Sequence, residues 1–324
     1  MINGTILQAF HWYLPDDGKL WDQLKAETPK LTDMGITALW LPPASKGTEG
    51  GRSIGYDSYD IYDLGEFDQK GSVGTKYGTK KELIAAIKSL QQAGIKIYVD
   101  VVLNHMGGAG EKEKVMVRRV NPDNRNEFTS DPFEIEAYTK FTFPGRKGKY
   151  SKFIWDYHCF SGVDYAANLD ETAIFSIVNN PYGEGWEEVV DDEKGNYDYL
   201  MYCDIEFRNP AVREELKRWG KWLYDTLHYD GFRLDAVKHI SPKFFNEWLD
   251  AMRNEINPEL FAVGEYWSPG NLPLLLKYIE ATGGRMSLFD ACLQNNFHAA
   301  SRAGREYDLH TIFQDTLVSV RPDL

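Results

Sequence analysis

Nothing in this sequence is long and apolar enough to cross a bilayer: no stretch reaches the roughly 18 residues such a helix needs. The first residues, Met1-Ile2-Asn3-Gly4, show no basic segment running into an apolar one, so no leader is visible. On these grounds the chain reads as soluble and cytoplasmic. Cysteine is scarce, with Cys159, Cys203 and Cys292 far apart and in no C-x-x-C pair. An odd, scattered set does not support a disulfide framework and suits a reducing compartment. Positive charge is also short. There are 36 Lys and Arg against 49 Asp and Glu, a net charge of −13, and no long basic run. Nucleic acid and anionic membrane surfaces are poor partners for such a chain, whereas a neutral polymer or a cation fits. There is no internal repeat and no low-complexity tract. No G-x-G-x-x-G follows the first strand-like run, which argues against a dinucleotide-binding sheet.

What the chain does have is 324 residues, 43% of them hydrophobic, enough for one large barrel or two ordinary domains. Aromatic residues make up 14%; most must be core, but their faces also suit the apolar faces of sugars. Strand-like runs fall at 5–10, 38–42, 96–103, 231–236, 261–266 and 287–292. Helical stretches lie between them, at 21–33, 79–94, 210–229, 241–256, 271–281 and 309–319. Thr79 and Glu82 have capping-box spacing, and Asn209-Pro210 opens a segment whose Val212, Leu216, Trp219, Leu223 and Leu227 make one stripe. Alternation of this kind predicts an α/β fold with a parallel sheet, a TIM-type barrel or an open doubly wound sheet. Residues 104–208 break the rhythm. They are rich in Gly, Asp, Asn and aromatics and read as an irregular, β-rich subdomain inserted after the third strand, overhanging the carboxyl ends of the sheet.

Two carboxylates stand where barrel enzymes place their chemistry. Asp235 ends GFRLD and Glu265 ends FAVGE, each near the carboxyl end of a predicted strand. On neighbouring strands, one could attack an anomeric carbon while the other protonates the leaving oxygen. The acid then needs a raised pKa, and the nucleophile must stay ionised. Arg233, two residues earlier and on the same strand face, is placed to hold Asp235 ionised. Taken singly, each carboxylate is more often a salt-bridge partner or a strand end.

The motifs DVVLNH (100–105), GFRLDAVKH (231–239) and VGEYW (263–267) resemble signature strands of the α-amylase family, glycoside hydrolase family thirteen. GYDSYDIYDLGEF (55–67) and YDYLMYCDIE (197–206) resemble further segments of the same family, in the same order. The bacterial liquefying-type members are the most similar. The resemblance covers essentially the whole chain. It implies a (β/α)8-type barrel, of which about six strands are present, split as 1–103 and 209–324 around the insertion 104–208. It implies endo-acting, retaining hydrolysis of α-1,4-glucosidic bonds in starch, glycogen or maltooligosaccharides. Asp235 is then the nucleophile, Glu265 the acid and base, and Arg233 the residue that orients the nucleophile. His105 binds sugar at the cleavage subsite, Tyr56 stacks on it, Lys238 and His239 face the aglycone side, and Trp12 and Trp267 are further subsite candidates.

The resemblance also implies Ca²⁺. Scattered acids are usually a solvated surface, but hard oxygen donors gathered from distant loops suit this ion. Asn104, Asp198, Asp204 and the backbone oxygen of His239 match the main calcium site of the family, joining barrel and insertion. Asp164, Glu187, Asp204 and Glu206 match a second cation site of the liquefying-type members. Here two of them are Glu in place of Asp, and Arg208 stands where a further acid is expected, departures that argue against that second site.

Three other readings share these residues. Asp235, Glu265 and Asp290 could hold Mg²⁺ for proton abstraction, but that needs a Lys or His base and an N-terminal capping domain that the sequence does not show. A sugar-transferring relative of the same fold uses the same intermediate. A non-cleaving, amylase-like binding protein typically lacks the carboxylates. The family's third catalytic Asp, expected after a seventh strand, has no F-x-x-N-H-D-like counterpart here. Residues 1–324 are therefore expected to be a fragment, poorly active, marginally stable or prone to association by themselves.

Overall fold

The computed structural model describes residues 4–323. Six parallel strands form one sheet: β1 (Ile6–Gln8), β2 (Ala38–Trp40), β3 (Lys96–Val101), β4 (Gly231–Leu234), β5 (Phe261–Gly264) and β6 (Ser287–Leu288), in that spatial order. Each falls within one of the six strand-like runs and is shorter than it; of the run 287–292 only the first two residues are strand. The strands follow chain order, and all pair in parallel. This is the arrangement of a (β/α)8-type barrel whose helical crossovers pack outside the sheet.

Helices α1 (Leu20–Asp33), α2 (Lys80–Gln92), α3 (Pro210–Leu227), α4 (Pro242–Glu255) and α5 (Leu272–Ala281) lie near the predicted spans. The reasons are local. Glu82 of α2 accepts from the Thr79 backbone N–H at 2.7 Å while the Thr79 hydroxyl accepts from the Glu82 N–H, closing the capping box. Asn209 caps α3 through the Ala211 N–H at 2.9 Å, and the five-residue stripe is buried throughout. Gly220 lets α4 approach α3: a Cβ there would lie 2.6 Å from Met252 Sδ.

Near the C-terminal end the expectations fail. Residues 309–319 hold only short turns and a single-turn helix at Leu317–Val320, while a full helix, α6 (Ala291–Ala303), occupies a stretch read partly as strand. It buries only Ala291 and Cys292 and so carries no apolar stripe to find. Asp290 does not end a strand. It caps α6, accepting from Leu293 N–H at 2.9 Å, which removes it from the three-acid Mg²⁺ reading.

The segment between β3 and α3 forms a second, mainly antiparallel sheet. Its spatial order is His105–Met106, Cys203–Ile205, Phe160–Ala166, Glu171–Ile177, Glu111–Arg119, Phe133–Lys140. Its inner face (Val115, Val117, Ile135, Ala137, Phe160, Phe175) joins the core of the parallel sheet in one continuous cluster. All three cysteines are buried and unpaired by disulfides. Among the described residues no helix is long and apolar enough to cross a membrane.

Candidate active site

Sheet register places the central charges. Arg233 on β4 lies opposite Asp100 on β3 and Val263 on β5. The ladder continues one residue further: Asp235 N–H donates to Val101 O at 3.0 Å, and Glu265 N–H to Leu234 O at 2.9 Å. Both carboxylates therefore leave the carboxyl ends of adjacent strands side by side. Ala236 then takes a left-handed conformation (φ +49°), which turns the chain sharply toward Lys238 at a cost of about 1–2 kcal/mol for a residue with a Cβ.

One guanidinium serves three carboxylates. Arg233 Nη1 donates to Asp100 at 2.9 and 3.1 Å and also to Asp235 Oδ1, and Nη2 pairs with Glu265 Oε2 at 2.7 Å. Asp100 also accepts from Trp40 Nε1 and the Tyr56 hydroxyl, each at 2.8 Å. The electrostatic outcome differs from the expectation that Arg233 holds Asp235 ionised. Burial pushes Asp235 up to about 7; Arg233 opposes this, and the charges of Asp100 and Glu265 add to it. Arg233 is divided three ways, so its hold on any one partner is diluted. Glu265 keeps 35% of its side chain exposed against 10% for Asp235.

These groups floor a cleft of about 580 Å³, within the range of small-molecule sites. His105, Tyr56, Lys238, His239, Trp12 and Trp267 all line it. Trp12 stacks on Tyr56 (centroids 6.0 Å apart, planes 7° apart), and Trp12 and Trp267 stay more than half exposed. Such exposed rings beside a polar floor form platforms for flat apolar faces.

Three of the expected sugar contacts are already engaged within the protein. His105 Nε2 meets Tyr56 O at 2.8 Å, and its Nδ1 faces the Asn104 amide at 3.3 Å. Lys238 pairs with Glu193 at 2.6 Å and Asp191 at 3.2 Å, and donates to Trp267 O at 3.4 Å. His239 Nδ1 meets Tyr197 O at 2.6 Å, and burial lowers its pKa to about 4, so the ring is neutral. Lys238 and His239 thus fasten the insertion to the end of β4. Asp100 was missed as a site residue. A carboxylate inside the apolar run KIYVDVVL was the available signal, because such a group needs a partner.

Several acidic residues of the insertion cluster together, apart from the residues that line the cleft. Asp198 and Asp204 are almost fully buried, and both are raised well above the carboxylate range by burial, with neighbouring acids adding to the shift. Asp204 accepts from Ser161 and, at 3.4 Å, from the Asn104 amide; Asn104 Oδ1, buried, has no partner. Asp164 accepts from Tyr202 N–H at 2.8 Å. Glu206 is taken up by Arg208 at 2.6 and 2.7 Å. Among the described residues no three Asp, Glu, His or Cys side chains converge as a metal cage. The Asn104 set needs only two acids, with an amide and a backbone oxygen completing it. Its orphaned oxygen and mutually repelling acids fit a hard cation such as Ca²⁺.

The profile described as "Alpha amylase, catalytic domain" matches residues 23–283. The cytoplasmic alpha-amylase of Escherichia coli is 52% identical over 99% of this chain and 65% of its own length. The alpha-amylase of Geobacillus stearothermophilus is 49% identical over 99% and 58%. The glucan 1,4-alpha-maltohexaosidase of a Bacillus species is 45% identical over 99% and 61%. The chain thus spans about six-tenths of the length of these relatives. In structure it resembles the alpha-amylase of Geobacillus thermoleovorans solved with acarbose, with a TM-score of 0.54 at 18% identity, covering 94% of this chain and 57% of that one. It also resembles a cyclomaltodextrin glucanotransferase, with a TM-score of 0.58 at 19% identity, covering 97% and 54%. By its strand order, its paired carboxylates and this match over most of its length, the chain belongs to the α-amylase catalytic-domain family.

Proposed function

We propose that the chain carries the cleaving machinery of an endo-acting hydrolase of α-1,4-glucosidic bonds, working with retention on starch, glycogen or maltooligosaccharides. The observation that carries this reading is the pair Asp235 and Glu265, on adjacent strand ends and bonded to one Arg233 in an aromatic-flanked cleft. Asp235, nearly closed off from water, is the nucleophile. Its oxygen attacks the anomeric carbon as the glycosidic C–O bond breaks, forming a glycosyl ester. Glu265 faces the open cleft, where it exchanges protons with solvent. It donates one to the departing oxygen, then takes one from the water that cleaves the ester. Trp12, Tyr56 and Trp267 present ring faces to the sugar chain. The names of the E. coli and Bacillus relatives support an α-glucan substrate.

Asn104, Asp198, Asp204 and the backbone oxygen of His239 would hold Ca²⁺, which when bound cross-links barrel and insertion electrostatically. Residues 1–103 and 209–324 are taken as the two parts of the barrel domain, with 104–208 inserted. A cytoplasmic setting is supported by the E. coli relative's name and by three buried free cysteines. The test is Asp235→Asn and Glu265→Gln, each assayed on soluble starch with product analysis, against the unsubstituted chain at enzyme concentrations that bring its low expected activity well above background. Both should lose hydrolysis by several orders of magnitude while keeping the wild-type circular dichroism. Wild-type turnover in either would sink the mechanism, and products longer than the substrate would point to sugar transfer instead.

A further inference from the structure

The acidic cluster of the insertion divides into two unlike halves. Glu187, Asp198, Asp204 and Glu206 influence one another electrostatically; the Arg208 guanidinium acts on Glu187, Asp198 and Glu206, and Arg125 acts on Asp204. Glu206 is fully buried, and Arg208 grips it with both edges of its fork, Nε to Oε1 at 2.7 Å and Nη2 to Oε2 at 2.6 Å. The Arg208 backbone N–H adds a third bond to Oε1 at 2.8 Å. The same guanidinium collects backbone oxygens from the facing loop: Gly185 O at 2.8 Å from Nη2 and Glu184 O at 3.4 Å from Nη1. The loop makes room for it. A Cβ on Gly183, whose φ is +153°, would lie 2.4 Å from Nη1. Carboxylate oxygens and loop carbonyls converging on one point are the donor set of a hard cation, and here a guanidinium fills it. In the other half no cation is bonded: Asp204 meets only the neutral donors Ser161 and Asn104, and Asn104, 1% exposed, has an unpartnered Oδ1, as Glu187 has an unpartnered Oε1 on the Arg208 side.

We propose that Arg208 is a built-in cation. It neutralises the Glu206 half of the cluster and pins the 183–187 loop without metal, so that the chain takes one divalent cation, on the Asn104 half alone. The inference rests on the calcium reading given above, and the experiment separates the two.

The chain is stripped with EDTA and titrated with CaCl₂ by calorimetry, with metal content checked by mass spectrometry; melting is followed in excess Ca²⁺ and in EDTA. Wild type should bind one Ca²⁺. Two would overturn the proposal. None would overturn the calcium reading, and the melting arm would still decide the role of Arg208. Arg208→Gln frees the oxygens around Glu206, so it should take up a second, weaker Ca²⁺. It should also melt several degrees below wild type in Ca²⁺ and in EDTA alike, because the pin it removes is not the metal. A variant that binds no second Ca²⁺ reduces Arg208 to an ordinary ion pair and overturns the proposal, as does an unchanged melting temperature. Should the Gln variant not fold, Arg208→Lys keeps the charge and loses the fork. It is expected to bind one Ca²⁺ and melt lower, and a wild-type melting temperature in that variant also counts against the proposal.

Discussion

Asp100 and Arg233 lie opposite each other on neighbouring parallel strands, 133 residues apart in sequence, and both are buried. The pair anchors the floor of the cleft. Asp100→Asn keeps the shape but removes the charge facing the guanidinium, and it turns an amide toward the Trp40 and Tyr56 donors. Breaking a buried pair on one side costs about 3–5 kcal/mol. Urea unfolding should show a loss of that order; under 1 kcal/mol would mean that Arg233 is held by Asp235 and Glu265 without help.

Asp235 illustrates a conflict between stability and chemistry. Its pKa in the folded chain is raised to about 7, from 3.8, mainly by burial. A raised carboxyl stabilises the fold when protonated. That contribution is fully present below about pH 4 and is lost as pH climbs through 7. Asp235→Asn carries no charge to bury. It should melt above wild type at pH 8, with the difference shrinking toward pH 4, while activity disappears. A variant less stable than wild type at pH 8 would show that Arg233 outweighs burial.

Calcium dependence should itself depend on pH. Asp198 and Asp204 are raised well above the usual carboxylate range, so both hold protons in acid and repel each other when ionised. The ion-free chain therefore loses stability as pH rises, and Ca²⁺ offsets the loss by binding only the folded state. The melting difference between excess Ca²⁺ and EDTA should be larger at pH 8 than at pH 5.5. Equal differences at both values would detach these acids from the metal.

Lys238 is expected to act as a fastener. Lys238→Met removes the partner of Asp191, which is 4% exposed, and of Glu193. The 187–196 loop should open more often, so limited proteolysis should cut there first and faster than in wild type. Cleavage elsewhere at wild-type rate would leave Lys238 free for the substrate-side role its position in the cleft also allows.

The sequence showed its parallel strands clearly because strands buried on both faces read as nearly continuous apolar runs, as in KIYVDVVL, which only Asp100 interrupts. It showed Asp235 and Glu265 for the same reason, since a charge that ends such a run stands out. It did not show α6, which buries two residues of thirteen and has no stripe to betray it. Nor did it show that Lys238 and His239 are tied inward. Their partners, Asp191, Glu193 and Tyr197, come from a loop with no periodicity, and contacts across forty residues leave no local trace. The sharing of Arg233 was legible only in half: spacing put Arg233 beside Asp235, but Asp100 and Glu265 join it through strand order.

The position of the insertion bears on how this chain finds its fold. β3 and β4 pair residue for residue, Tyr98 with Gly231 through Val101 with Leu234, yet the whole second sheet and α3 lie between them in sequence. Closing the central seam of the parallel sheet joins segments that the whole second sheet separates, and the entropy lost in joining them must be met before their contacts form. Pairing at that seam is the natural slow step of refolding. A substitution that delays the second sheet would then reduce the yield of native protein even where it leaves the finished molecule's stability untouched.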